Sequence, residues 1–260
     1  MKYVLDALRD IYRKVGFNLI GVASAEEYDA KAPPGAPRLR EVLPEASTVF
    51  LVGNGGSAFW SHYKAFLREN PEFERGRADP FDDYTALVLS EGEKLLRGAG
   101  FNTRSIYPFV REKVWFSFQH MAVLAGLGQI GKHGVLIHPE YGPWISFRGA
   151  LLTDIPFSLL TGSGAPFGPS NRDFDPCTGC PAPCMTACPG SAVTTTGFHL
   201  SRCVETKLVH AACRWTCLAR FHCVYGVQHR FHEAELKLHA RFTPEHAREV
   251  SSHLSKSKPD

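Results

Sequence analysis

The sequence predicts an α+β fold: a mixed domain of helices and strands, followed by a ferredoxin-like module. Three observations carry this expectation. Helical and strand-like apolar periodicities succeed one another over the first two thirds of the 260 residues. All 8 cysteines fall between Cys177 and Cys223. A Gly/Pro-rich stretch at 161–169 separates the two regions and reads as a domain boundary.

Residues 3–15 place Val4, Leu5, Leu8, Ile11, Tyr12 and Val15 at helical spacing, and Gly16 ends that helix. Residues 18–23 form a short apolar strand, 31–37 a Pro- and Gly-rich loop, and 48–52 a second strand. Asn54-Gly55-Gly56-Ser57 breaks the second strand. A helix over 58–69 sets Phe59, His62, Tyr63, Phe66 and Leu67 on one side. Asp79 is an N-cap with Pro80 at the first helical position. That helix runs to about Arg97, and Gly98 or Gly100 closes it. A strand over 101–107, an apolar helix over 115–125 and a strand over 144–152 complete the first region. Beyond about residue 228 the chain is charged and His-rich, with one helix over 233–250 and a frayed end.

The cysteines begin as Cys177-Thr-Gly-Cys180-Pro-Ala-Pro-Cys184-Met-Thr-Ala-Cys188-Pro189 and continue as Cys203, Cys213, Cys217 and Cys223. Closely spaced cysteines ending in Cys-Pro mark a ferredoxin-type run, whose last cysteine ligates the other cluster. Eight thiolates suffice for two 4Fe-4S clusters. Disulfides compete with this reading, but disulfide-dense scaffolds are usually small and secreted. This chain is 44% hydrophobic and can bury a core without staples. Zinc competes too, but zinc sites usually pair two C-x2-C knuckles, and Cys177 with Cys180 forms the single one here. The run departs from the bacterial spacing C-x2-C-x2-C-x3-C-P by one extra residue within Pro181-Ala182-Pro183. A bulge between ligands absorbs that residue, or the cluster is altered.

The formal net charge of +3 forces no conclusion about partners. No apolar run of about eighteen residues exists, so no membrane span is expected. The opening Met-Lys-Tyr-Val-Leu-Asp-Ala-Leu-Arg-Asp carries charge where a signal peptide needs an apolar run, which points to the cytoplasm. Residues 201–260 hold ten Lys/Arg against six Asp/Glu, plus seven His. That mild basic bias suits phosphate contacts, and suits a solvated face equally well.

Gly126-Leu127-Gly128-Gln129-Ile130-Gly131 matches the dinucleotide fingerprint, which needs a strand before it and a helix after it. Here a helix precedes, and His133-Gly134-Val135-Leu136-Ile137 follows as a strand. The context is reversed, so the glycines read as a turn, and nicotinamide binding is disfavoured. Glycines also let backbone approach a large flat ligand closely.

Three segments then resemble a known family. They are Ala125-Gly126-Leu127-Gly128-Gln129-Ile130-Gly131-Lys132, then Leu136-Ile137-His138-Pro139-Glu140-Tyr141-Gly142-Pro143-Trp144, then Leu151-Leu152-Thr153-Asp154. They resemble epoxyqueuosine reductases, and reductive dehalogenases share a similar order of motifs. The match is strong over about 110–223. The resemblance implies a nitroreductase-like cobalamin-binding domain over 1–160. A ferredoxin-like iron–sulfur domain over 170–228 and a helical or flexible tail over 229–260 follow it. It implies electrons passing from two 4Fe-4S clusters to cobalt, supplied by a low-potential donor such as a flavodoxin, a ferredoxin or a reductase.

Residue by residue, the resemblance puts Gly126, Leu127, Gly128, Gln129, Ile130, Gly131 and Lys132 against the corrinoid, together with His138, Pro139, Glu140, Tyr141 and Trp144. It assigns Cys177, Cys180, Cys184 and Cys223 to one cluster and Cys188, Cys203, Cys213 and Cys217 to the other. The family's last motif is a tight C-x2-C-x3-C-P, whereas this chain spaces Cys213, Cys217 and Cys223 as C-x3-C-x5-C. His222 is therefore an alternative ligand. The family's acidic proton donor, thirteen residues before Ala-Gly-Leu-Gly, falls on Glu112. The family has an aspartate in a Val-Asp-Ser context there. A carboxyl in an apolar pocket over a corrin has a raised pKa and can deliver a proton. Tyr63, Tyr107 and Tyr141 are further candidate proton donors. Trp115, Phe116, Phe118, Trp144 and Phe147 flank the glycine turn, as core or as cofactor wall.

Two readings follow. The first is a cobalamin-dependent iron–sulfur reductase removing oxygen or another leaving group from a small-molecule, nucleoside or tRNA substrate. The second is an electron-transfer or corrinoid-reducing protein without its own substrate. The family's C-terminal helical-repeat region, which helps hold tRNA, has no counterpart before Asp260.

Overall fold

The computed structural model describes residues 2–108, 116–160 and 173–239. Among these, compactness divides the chain into two units. The first takes the residues up to Gly128 and those from Ile145 to Leu160; the second takes Gln129–Trp144 and those from Asp173 onward. The glycine-rich segment that the sequence places within 1–160 is thus split, and its second half belongs with the cysteines.

The first unit runs α1 (Lys2–Arg13), β1 (Leu19–Ser24), α2 (Ala25–Lys31), α3 (Leu39–Val42), β2 (Thr48–Gly55), α4 (Ala58–Glu69), α5 (Pro80–Gly98), β3 (Thr103–Ile106) and α6 (Phe118–Leu124). The hairpin β4 (Gln129–Ile130) and β5 (Leu136–Ile137) lies in the other unit, and β6 (Ile145–Thr153) returns to the first. Its sheet is antiparallel in the order β1-β2-β6-β3. Every residue of β2 is buried. Successive side chains of a strand point to opposite faces, so both faces of the sheet are covered there. Helix α5 packs on β3, β6 and α1, while α6 packs on β1 and β2. Leu5, Leu8 and Tyr12 of α1 are buried at the expected helical spacing, and the Tyr12 hydroxyl donates to the Leu89 carbonyl at 3.3 Å.

Several expectations are corrected. Strand β2 continues through Asn54 and Gly55, because Gly53 to Gly55 pair with Phe147, Ser146 and Ile145 of β6 across a register shift, while the β1 register ends at Gly53. Pairing with β6, together with the Asn18 side chain bonded to both the N–H and the carbonyl of Gly55, outweighs the local breaker. Residues 133–135 do not form a strand; they make the turn of the β4–β5 hairpin. Helices α2 and α3 were not expected from periodicity. Glu112, Trp115, the boundary stretch 161–169 and the far half of the helix over 233–250 lie outside the described residues.

The second unit is made of short pieces: α7 (Pro183–Thr186), β7 (Val193–Thr194), β8 (Gly197–Phe198), α8 (Leu200–Val209), α9 (Ala211–Trp215), α10 (Leu218–Phe221) and α11 (Glu233–His239). Its small core comprises Ala182, Cys184, Val193 and Ala219, with Met185, Cys188 and Cys217 packed against it. Two loops meet backbone to backbone: a Cβ on Gly142 would strike the Tyr225 carbonyl, and one on Gly226 the Tyr141 carbonyl. Only glycine allows that approach, and both have positive φ. Among the described residues no helix is long and apolar enough to cross a membrane.

Candidate functional site

The cysteines fall into two groups that share electrostatic fields. Burial raises the Cys184 thiol, and the thiols of Cys223, Cys177 and Cys180 raise it further. Burial raises Cys223 too, with Cys180 and Cys177 acting in the same direction. The other group centres on Cys203, pushed up to about 11 by burial; Lys207 opposes this, and Cys217, Cys188 and Cys213 add to it. Burial raises Cys213, then Cys217 and Cys188. Cys223 therefore keeps company with the first three cysteines, and Cys188 with the last three. All eight thiols are free. Among the described residues, no three or more His, Cys, Asp or Glu groups converge as they would on a single metal ion.

Local structure explains the placement. The Asp175 carboxylate accepts from the Cys177 and Thr178 N–H groups, each at 3.1 Å, and so shapes the turn bearing Cys177. The Thr178 hydroxyl and those two N–H groups hold its pKa below the usual carboxylate range. Within Pro181-Ala182-Pro183, the stretch with the extra residue, Ala182 adopts the left-handed conformation (φ 51°, ψ 51°) immediately before Pro183 opens α7. That bend absorbs the insertion and turns the Ala182 N–H onto the Cys180 sulfur at 3.4 Å. Three more backbone N–H groups do the same: Lys132 to Cys177, Ala192 to Cys188 and Arg220 to Cys217, each at 3.4 Å. Such donors stabilise negative charge on sulfur.

Around the first group lies a cavity of about 310 Å³, its open mouth included. Cys177, Cys180, Cys184 and Cys223 line it, with Lys132, His133, Ile137, Pro176, Ala182, Pro183, Val224 and Tyr225. Behind the second group is Arg220, whose guanidinium donates twice to the Pro143 carbonyl, at 2.9 and 2.6 Å. It stacks over Trp144 and Phe231, 5.0 and 5.2 Å from the ring centroids. Burial lowers its pKa to about 10, opposed by Cys217 and then Glu235, which is itself fully buried. His222 is exposed, and its Nδ1–H donates to the Leu218 carbonyl at 2.9 Å, whereas Cys223 is buried.

The residues assigned to a corrinoid occupy varied settings. Leu127 and Ala125 pack where Gly21 of β1 has no side chain, and Gly126 and Gly128 are buried. Gln129 and Ile130 form β4, and Ile130 is 38% exposed. His138 and Gly142 exchange both backbone hydrogen bonds at 2.8 Å, while His138 Nδ1 accepts from the Glu140 and Tyr141 N–H groups. The Tyr141 ring sits 5.0 Å from the His138 ring and 4.8 Å from the His229 ring. Pro139 is half-buried, Glu140 exposed and Trp144 fully buried against Phe221 and Phe231. Of the other tyrosines, Tyr63 is buried among Phe59, Phe81 and Tyr84, and burial raises the Tyr107 pKa. Phe116 and Phe147 are half-buried, and Phe118 is buried. Sequence reasoning gave no role to His133 or Arg220; no local pattern marks either, since their partners come from distant segments.

The class the fold defines is one with a mixed α/β unit and a cysteine-rich unit in one chain. A selenomethionine-labelled epoxyqueuosine reductase superposes with a TM-score of 0.61 at 16% identity, over 95% of this chain and 71% of its own. A second, solved with a tRNA-Tyr epoxyqueuosine-modified stem loop, gives 0.61 at 16% identity over 91% and 69%. A catabolic reductive dehalogenase in complex with 3-bromo-4-hydroxybenzoic acid gives 0.54 at 14% identity over 96% and 36%. These likenesses concern the fold. By sequence, the named relatives are epoxyqueuosine reductases. That of Staphylococcus aureus is 32% identical over 198 residues, 71% of this chain and 46% of its own length. That of Vibrio cholerae serotype O1 is 33% identical over 128 residues, 47% of this chain and 31% of its own. The chain thus spans less than half the length of these two relatives. No protein-family model matches it.

Proposed function

We propose that this chain is a cobalamin-dependent iron–sulfur reductase of the epoxyqueuosine reductase kind, with cobalamin in the region 1–160 and two 4Fe-4S clusters in 170–228, followed by the tail 229–260. The observation that carries the reading is the sorting of eight thiols into two groups of four, with a backbone N–H aimed at a sulfur of four of them. All-thiolate sites suit zinc or iron–sulfur clusters.

Cys177, Cys180, Cys184 and Cys223 hold one cluster, and Cys188, Cys203, Cys213 and Cys217 the other. Bound clusters supply one-electron steps, and bound cobalamin supplies a strongly reducing, nucleophilic cobalt. The chain's own part is to fix the sulfurs, offset their negative charge and exclude water. Four N–H donors and the Arg220 charge beside Cys217 serve the second purpose, and Trp144, Phe221 and Phe231 the third. Residues 126–132, 138–141 and Trp144 face the corrinoid in this proposal. Glu112 and Tyr141 are its candidate proton donors. A low-potential flavodoxin, ferredoxin or reductase feeds it. The substrate class, taken from the relatives' names, is a nucleoside-like epoxide, free or in tRNA.

The test is anaerobic purification with iron and sulfide assays, and an absorption spectrum with and without added cobalamin. About eight iron atoms per chain and corrinoid binding are expected. Cys180→Ser and Cys213→Ser should each remove roughly half the iron, because each unseats one of two clusters. Iron-free chain sinks the reading. Iron without corrinoid binding leaves an electron-transfer protein instead.

A further inference from the structure

One buried imidazole in the second unit has an unclaimed proton. His133 is 2% exposed and lines the cavity bounded by Cys177, Cys180, Cys184 and Cys223. Its Nδ1 accepts the Val135 N–H at 3.2 Å. A neutral imidazole that accepts at Nδ1 carries its hydrogen on Nε2. That Nε2 is buried and has no hydrogen-bond partner within the protein. The ring's position is built in: a Cβ on Gly131 would press on His133 Cε1 at 3.2 Å and on the Ile137 side chain. The same turn already sends the Lys132 N–H to the Cys177 sulfur.

Buried donors rarely stay unsatisfied, and here the donor's residue lines a cavity walled by four thiols. We propose that His133 donates an Nε2–H hydrogen bond to a sulfur of the cluster held by Cys177, Cys180, Cys184 and Cys223, and thereby raises that cluster's reduction potential. The inference rests on the iron–sulfur reading above. A hydrogen bond to sulfur stabilises the more negative, reduced cluster over the oxidised one. His133 is thus a tuning residue and does not ligate iron. Cys188, Cys203, Cys213 and Cys217 do not line that cavity, so the hydrogen bond acts on one cluster and the two acquire different potentials.

The test is a potentiometric titration followed by electron paramagnetic resonance, on the anaerobic full chain, His133→Leu and His133→Gln. His133→Leu should lower the potential of one cluster, shifting its reduction equilibrium about tenfold, ~59 mV for a one-electron couple. The other cluster should not move. His133→Gln, which keeps a side-chain N–H, should recover most of the shift. Equal potentials in all three proteins overturn the proposal. If His133→Leu fails to hold the cluster, the wild-type chain decides the matter. With 15N-labelled histidine, pulsed resonance on the reduced cluster should show a weak nitrogen coupling. No coupling, or the strong coupling of direct ligation, overturns the proposal. A chain without iron or sulfide is a different failure: it defeats the cluster reading itself, and this inference with it.

Discussion

In the first unit every residue of β2 is buried and α5 runs 19 residues. In the second, among the described residues, the longest helix has 10 residues and each strand has two. The first is filled by leucines, valines and aromatic rings. The second is filled by small residues, thiols and a buried guanidinium. An apolar sheet core is stable by its own burial. A core of thiols gains its stability from what the thiols bind, as in metal domains that fold with their metal. Under the proposed function, the difference separates a scaffold from a part whose fold depends on the clusters it holds.

Two substitutions strain this contrast most. Arg220→Met deletes both donors to the Pro143 carbonyl and leaves Glu235 buried without the cation beside it. It should cost about 3–5 kcal/mol and lower iron retention. Leu151→Ala, in fully buried β6, should cost about 2–5 kcal/mol and leave the iron per folded chain unchanged. Denaturant midpoints with iron assays check both; iron loss in Leu151→Ala, or its retention in Arg220→Met, would erase the contrast.

Alkaline pH should act on the first unit. Burial raises the pKa of Tyr12, Tyr28, Tyr84 and Tyr107 above 10, and all four lie there. Each phenol is protonated in both states below pH 10. Above it the unfolded chain loses protons that the folded chain keeps, so stability falls as pH rises. The slope is about 1.4 kcal/mol per pH unit for Tyr12 alone. Hydrogen exchange at pH 8 and pH 11 should show protection lost in β2 and β6, and Tyr12→Phe should reduce the loss. An unchanged pH response in Tyr12→Phe would remove that residue from the account.

The smallest effect concerns the stretch with the extra residue. Ala182 holds a left-handed backbone, which glycine adopts without cost. Ala182→Gly should leave iron content unchanged and alter stability by no more than about 1 kcal/mol, with relief of strain set against the entropy of the unfolded chain. Ala182→Val should lose iron, because a β-branched residue opposes the bend that brings the N–H to Cys180.

Much of the first unit was legible. The Asp79 cap and Pro80 start are realised, with Asp79 accepting from the Asp82 N–H at 3.2 Å. Helix α2 was overlooked although its signal is present: Ser24 accepts from the Glu27 N–H at 3.2 Å, the first half of a capping box. The course of β2 through Asn54 and Gly55 was not legible, because the strand that pairs with them, β6, lies some ninety residues further along the chain.

By itself, the sequence determined the helices with clean apolar spacing and caps, the concentration of thiols in one stretch, and the extra residue between Cys180 and Cys184. These are local properties, written in neighbouring residues. Only the tertiary structure decided that residues 129–144 belong with the cysteines and that His133 brings a spare N–H to their cavity. Each depends on contacts between segments tens of residues apart, which burial and backbone pairing select and local spacing does not encode.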